Sequence, residues 1–131
     1  MLNNFTKKAV GIMTLLLVFL INPLSAGPLP KFDKAKFFKA QKEGKVILVA
    51  AHADWCPTCR KQEPILEKLS ELPAYKNILF FQFDFDKDFE ARAMFRISHQ
   101  TTLILFKGKS ERGRSIGQTD TNKLRYFLDL K

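Results

Sequence analysis

Residues 46–59 read Val46-Ile47-Leu48-Val49-Ala50-Ala51-His52-Ala53-Asp54-Trp55-Cys56-Pro57-Thr58-Cys59, and the fold turns on this stretch. Six apolar residues in succession, Val46 to Ala51, suit a strand buried on both faces. From about Thr58 to Leu72 the pattern becomes helical, with Ile65, Leu66, Leu69 and Leu72 on one face. Pro64 falls inside that helix, where it removes a backbone hydrogen bond and kinks the chain. Cys56 therefore sits at a strand-to-helix junction, where unpaired N–H groups and the helix dipole favour a thiolate. Cys56 and Cys59 are the two cysteines of the chain. Their C-x-x-C spacing lets one thiol attack its neighbour, so the pair can cycle between dithiol and disulfide. A structural staple is the rival reading, but a bridge across two residues removes little unfolded-state entropy.

Working outward, Gly27 to Lys31 is a proline-rich lead-in, and Phe32 to Glu43 has a helical pattern in which Phe32, Ala35, Phe38 and Gln41 recur at turn-like intervals before Gly44. Ile78 to Phe85 is rich in strand formers, Asp86 to Phe95 is a short helical stretch, and Thr102 to Phe106 is a second buried strand. Lys107-Gly108-Lys109 marks a hairpin turn and Arg112 to Ile116 the returning strand. Gly117 breaks the run, and Asp120 or Thr121 caps a last helix to Leu130 bearing Leu124, Phe127 and Leu128. The order αβαβαββα predicts an α/β fold with a central mixed β-sheet flanked by helices on both faces.

Residues 1–26 have the pattern of a signal peptide: Lys7 and Lys8, an apolar run from Ala9 to Ile21, and a small-residue cleavage site at Leu24-Ser25-Ala26. Export follows, to the periplasm or an equivalent compartment, with an uncleaved membrane anchor as the variant case. Residues 27–131 then form a single domain with one small core. Twenty of the 22 basic residues lie in that domain against all 13 acids, a net charge of about +7. Solubility explains this charge; acidic protein partners or a membrane surface are the functional reading. Nucleic acid is excluded as a partner, because the basic residues are scattered and no run exceeds two.

The order of elements and the residues Ala53-Asp54-Trp55-Cys56-Pro57-Thr58-Cys59, Pro64, Thr102-Leu103-Ile104-Leu105-Phe106-Lys107-Gly108 and Gly117 resemble the thioredoxin family over the whole of residues 27–131. The resemblance is to its exported members, and the Pro57-Thr58 dipeptide is similar to that of periplasmic thioredoxins of cytochrome c maturation. It implies the thioredoxin fold and a thiol–disulfide oxidoreductase, with Cys56 as nucleophile and Cys59 resolving. It also implies protein dithiols or disulfides as partners, re-reduction by a membrane electron donor, no cofactor, and a monomer. Trp55 would shield the pair or pack as a core aromatic, and Pro57 and Thr58 would tune its potential. A thioredoxin-fold carrier of copper or an iron–sulfur cluster on the same cysteines is the alternative, and a docking module with little turnover is a third.

Three positions depart from the family pattern. The family's cis-proline opposite the cysteines is Thr101 here, its buried aspartate is Ala50, and the lysine coupled to that aspartate is Gln82. A cis bond before a non-proline costs about 3 kcal/mol, so a trans bond or a strained local backbone is expected at Thr101. Its hydroxyl would lie near Cys56 and lower the thiol pKa. Losing the aspartate leaves the second thiol's proton to water or a nearby histidine. His52 and His99 lie on loops that converge on the cysteines in this fold, as proton relays, as metal ligands with the thiols, or as ordinary loop histidines. Asp84, Asp86, Asp88 and Glu90 read as a solvated edge rather than a calcium site.

Overall fold

The computed structural model describes residues 27–131, and the expected leader lies outside them. The elements are α1 (Lys34–Lys42), β1 (Val46–His52), α2 (Pro57–Ser70), β2 (Ile78–Asp84), α3 (Phe89–Met94), β3 (Thr102–Lys107), β4 (Ser110–Ile116) and α4 (Thr121–Leu128), the order read from the sequence. The four strands form one sheet in the order β2-β1-β3-β4. β1 runs parallel to β2, with Val46 beside Ile78 and His52 beside Asp84, and antiparallel to β3. Gly108 makes the β3–β4 turn with a positive φ of 55°, and its backbone N–H donates to the Lys45 carbonyl.

Because successive strand residues point to opposite faces, the apolar runs of β1 and β3 feed two cores. On one face Leu48, Ala50, Phe80, Leu103 and Leu105 pack with Leu66 and Leu69 of α2 and with Leu124, Phe127 and Leu128 of α4. On the other, Ile47, Val49, Ala51, Phe81, Phe83, Ile104 and Phe106 meet Phe37 and Ala40 of α1, Ala91 of α3 and Phe95 just beyond that helix. The mixed sheet with helices on both faces is the α/β architecture that the order of elements predicts.

Element ends are set by specific caps. The Asp33, Asp88 and Asp120 carboxylates accept N–H groups in the first turns of α1, α3 and α4. The short helix expected over 86–95 shrinks to α3, since the Asp84 carboxylate holds the N–H groups of Asp86 and Lys87 in a turn before Asp88. Two readings are corrected. In α1 the buried face carries Phe37 and Ala40, whereas Ala35 is exposed and Phe38 is 42% exposed. Neighbouring phenylalanines left the phase ambiguous, and the aromatic cluster around Phe32, Phe95 and Phe106 selects Phe37. The lead-in is also more than a lead-in: Lys31 bridges Gln82 in parallel, with Gln82 N–H donating to the Pro30 carbonyl and Phe32 N–H to that of Gln82. Among the described residues no helix is long and apolar enough to cross a membrane.

Candidate active site

The C-terminal end of β1 carries the chain through Ala53 and Asp54 into α2, and Cys56 is the N-cap of that helix. Its sulfur accepts the Cys59 N–H at 3.4 Å, so a thiolate there takes the place of a capping oxygen. Pro57 follows at the first helical position, where its missing N–H and fixed φ cost nothing. Both cysteines are free thiols and both are covered. Cys56 is 6% exposed, because Ala53, Cys59 and Phe85 close around it.

Among the described residues, Thr101 supplies the one side-chain hydroxyl that reaches both sulfurs, at 3.5 Å from Cys56 Sγ and 3.0 Å from Cys59 Sγ. Its peptide bond is trans, and its φ of 61° is the left-handed conformation that a β-branched residue avoids. Two backbone bonds hold it there: Thr101 N–H donates to the Ala51 carbonyl, and Gly117 N–H donates to the Thr101 carbonyl, both at 2.9 Å. The strain expected at this position is therefore present, and it aims the hydroxyl between the sulfurs.

The two thiols are thereby made unequal. Burial acts to raise the Cys56 pKa, but hydrogen bonds from the Thr101 hydroxyl, the Cys59 N–H and thiol, and the Thr58 N–H outweigh it and bring the value down to about 7. Burial dominates at Cys59 and pushes its thiol up, with the neighbouring Cys56 adding to the rise. The Thr101 hydroxyl has one proton to give, and with Cys56 ionised that proton faces the Cys56 sulfur.

The remaining predicted residues divide. Trp55 is 60% exposed, so the core reading is set aside; its indole N–H donates to Asp86 Oδ2 at 2.7 Å, which anchors the ring on the surface next to Cys56 in the chain. His52 does not turn to the sulfurs. Its Nε2 lies 3.1 Å from Asp54 Oδ1 and 3.6 Å from Glu63 Oε2. His99 is exposed and its ring bonds the Ser98 hydroxyl, which removes it from the site. Asp84, Asp86 and Asp88 hold a turn, the Trp55 indole and a helix cap instead of a cation. Ala50 is buried and Gln82, its partner in register, donates its amide to Glu63 Oε1 at 3.0 Å. The Glu63–His52–Gln82 group escaped sequence reading; the signal was Glu63 standing four residues after Cys59, one turn along the same helix. Among the described residues no group of three or more His, Cys, Asp or Glu is disposed to hold a metal ion.

The arrangement provides a nucleophilic thiolate near neutral pH, a protonated second thiol beside it, and a flat aromatic surface for a partner. The sequence profile described as "Thioredoxin" matches residues 29–130. The chain is 40% identical to a thioredoxin of Chlamydia muridarum over 80 residues, 60% of this chain and 76% of that one. With the thioredoxin of Alicyclobacillus acidocaldarius the identity is 37% over 84 residues, 64% of this chain and 75% of the other. Among solved structures, Trxlp from Edwardsiella tarda superposes with a TM-score of 0.74 at 40% identity, covering 76% of this chain and 97% of its own.

Proposed function

The chain belongs to the thioredoxin family of disulfide oxidoreductases, and from that premise we propose that it is an exported monomer that reduces disulfides of partner proteins through Cys56 and Cys59. The single observation that carries the residue assignment is the asymmetry of the pair: Cys56 at about 7 on a helix N-terminus, Cys59 raised and buried behind it. The Cys56 thiolate attacks one sulfur of a partner disulfide, and the partner leaves as a thiolate from the other. Cys59, once deprotonated, attacks Cys56 in the mixed disulfide, closing the internal disulfide and releasing the reduced partner. A membrane electron donor then restores the dithiol.

Export rests on the leader pattern of residues 1–26, and the reductant role on the resemblance of Pro57-Thr58 to the cytochrome c maturation proteins. Trp55 supplies the contact surface, while Pro57, Thr58 and Thr101 set how many donors face Cys56.

With a small protein disulfide as substrate, Cys59→Ser accumulates a mixed disulfide that gel electrophoresis resolves, and Cys56→Ser shows no turnover. An active Cys56→Ser protein removes Cys56 as the nucleophile. The potential against glutathione decides direction: a value near about −270 mV supports the reductant, and one near about −120 mV an oxidant.

A further inference from the structure

Closing the internal disulfide requires Cys59 to lose a proton from a buried sulfur, and the groups that touch that sulfur are the Thr101 hydroxyl, the Ala53 N–H and Cys56, whose own sulfur is by then bonded to the partner. None is a base at neutral pH. β1 offers Ala50 to the face that α2 covers, so the strand supplies no carboxylate. α2 itself does. Glu63 stands four residues beyond Cys59, a spacing that puts the two side chains on one side of the helix with β-carbons about 6 Å apart. Its carboxylate is partly buried, 28% exposed, and it is oriented from two strands. Gln82 of β2 donates to Oε1 at 3.0 Å, and His52 of β1 faces Oε2 at 3.6 Å. Gln82 fixes the carboxylate without bringing a charge of its own. His52 and Gln82 also line an open cavity of about 510 Å³, so the chain of groups ends in solvent.

We propose that Glu63 accepts the Cys59 proton through one intervening water and that His52 conducts it to the cavity. The proposal rests on the exchange reading above. In the step, the Cys59 S–H proton goes to Glu63, and the new thiolate attacks Cys56 Sγ. The Cys56–partner S–S bond breaks as the Cys56–Cys59 bond forms. The partner sulfur departs with the bonding pair and takes a proton from solvent, while Glu63 returns its own through His52. The protein dithiol is oxidised and the partner disulfide reduced, with two electrons transferred and protons balanced. The charged groups facing this path are Glu67 one turn further along α2, Asp54 and Asp84 beside His52, and Lys31, Lys87 and Asp88 around the cavity. Three of the four acids, against two lysines, lie on the His52 side, which favours passage of a proton outward.

Glu63→Gln keeps the shape and the helix while removing the acceptor, and rapid-quench kinetics separate its two chemical steps. Mixed-disulfide formation is expected at the wild-type rate. Resolution is expected to slow roughly ten- to a hundredfold at neutral pH, the scale of lost general-base assistance. The deficit shrinks as pH rises and hydroxide replaces the carboxylate, and Glu63→Asp restores part of the rate. His52→Asn slows resolution less than Glu63→Gln. Unchanged resolution in Glu63→Gln overturns the proposal, as does a slowing that is equal for both steps or the same at every pH, with thermal unfolding monitored to confirm a folded variant. The parent reading fails separately, if Cys59→Ser traps no mixed disulfide at all.

Discussion

A hydroxyl shared between two sulfurs makes Thr101 the residue on which the balance of the pair depends. It is 2% exposed and held in a left-handed conformation by the Ala51 carbonyl and the Gly117 N–H. Thr101→Val preserves the shape and removes the donor. The midpoint of Cys56 alkylation against pH, near about 7 in the wild type, should then rise by about 1 pH unit, the scale of one lost hydrogen bond to a charged group. The sign follows from the chemistry: the thiolate is the reactive form, so alkylation of the wild type grows as pH rises through 7 and the variant lags behind it. Thr101→Ser retains the hydroxyl and should restore the wild-type midpoint. A midpoint that stays fixed in the valine variant would show that the helix N-terminus alone sets the thiol.

At the scale of elements, each helix begins at a side chain that stands in for a missing carbonyl, and for α2 that side chain is a sulfur. α4 shows the ordinary version, with Asp120 Oδ1 accepting the Lys123 N–H at 2.9 Å. Asp120→Ala should lower stability by about 1 kcal/mol in denaturant unfolding, the usual loss on removing an N-cap. The order of elements was legible because β1 and β3 are unbroken apolar runs and because Gly44, Gly108 and Gly117 punctuate the chain with positive φ. The cysteines at a strand–helix junction were legible for the same reason. Side-chain direction was not. The phase of α1 depended on which of two adjacent phenylalanines met Phe95 and Phe106, a tertiary fact. His52 lay within reach of the cysteines in sequence, yet its place at the end of β1 turns it to Glu63 and Asp54. Thr101 was legible through the resemblance, since it stands where the family has a proline opposite the cysteines, while its contact with Cys59 is a tertiary fact.

Across the whole molecule the sheet separates two duties. The α1–α3 face is an aromatic core in which Phe37 meets Phe32, Phe95 and Phe106 at centroid distances of 5.2–5.7 Å, whereas Glu63 and Gln82 belong to the opposite, α2–α4 side. Phe37→Ala should therefore cost about 3–5 kcal/mol of stability while leaving the Cys56 alkylation midpoint unchanged in protein kept folded, measured by unfolding and by pH-dependent alkylation side by side. The lead-in has a consequence at this same scale. β2 is an outer strand of the sheet, and its run Ile78-Leu79-Phe80-Phe81-Gln82-Phe83 is the kind of apolar edge on which further chains readily add. Residues 30–32 occupy the hydrogen-bonding groups of Gln82, and Pro28 and Pro30 bring no N–H with which to template another strand. β4, the opposite margin, is guarded by Glu111, Arg112 and Arg114. A neighbouring molecule thus meets a blunted border on one side of the sheet and a charged one on the other, and both are poor templates for adding a strand.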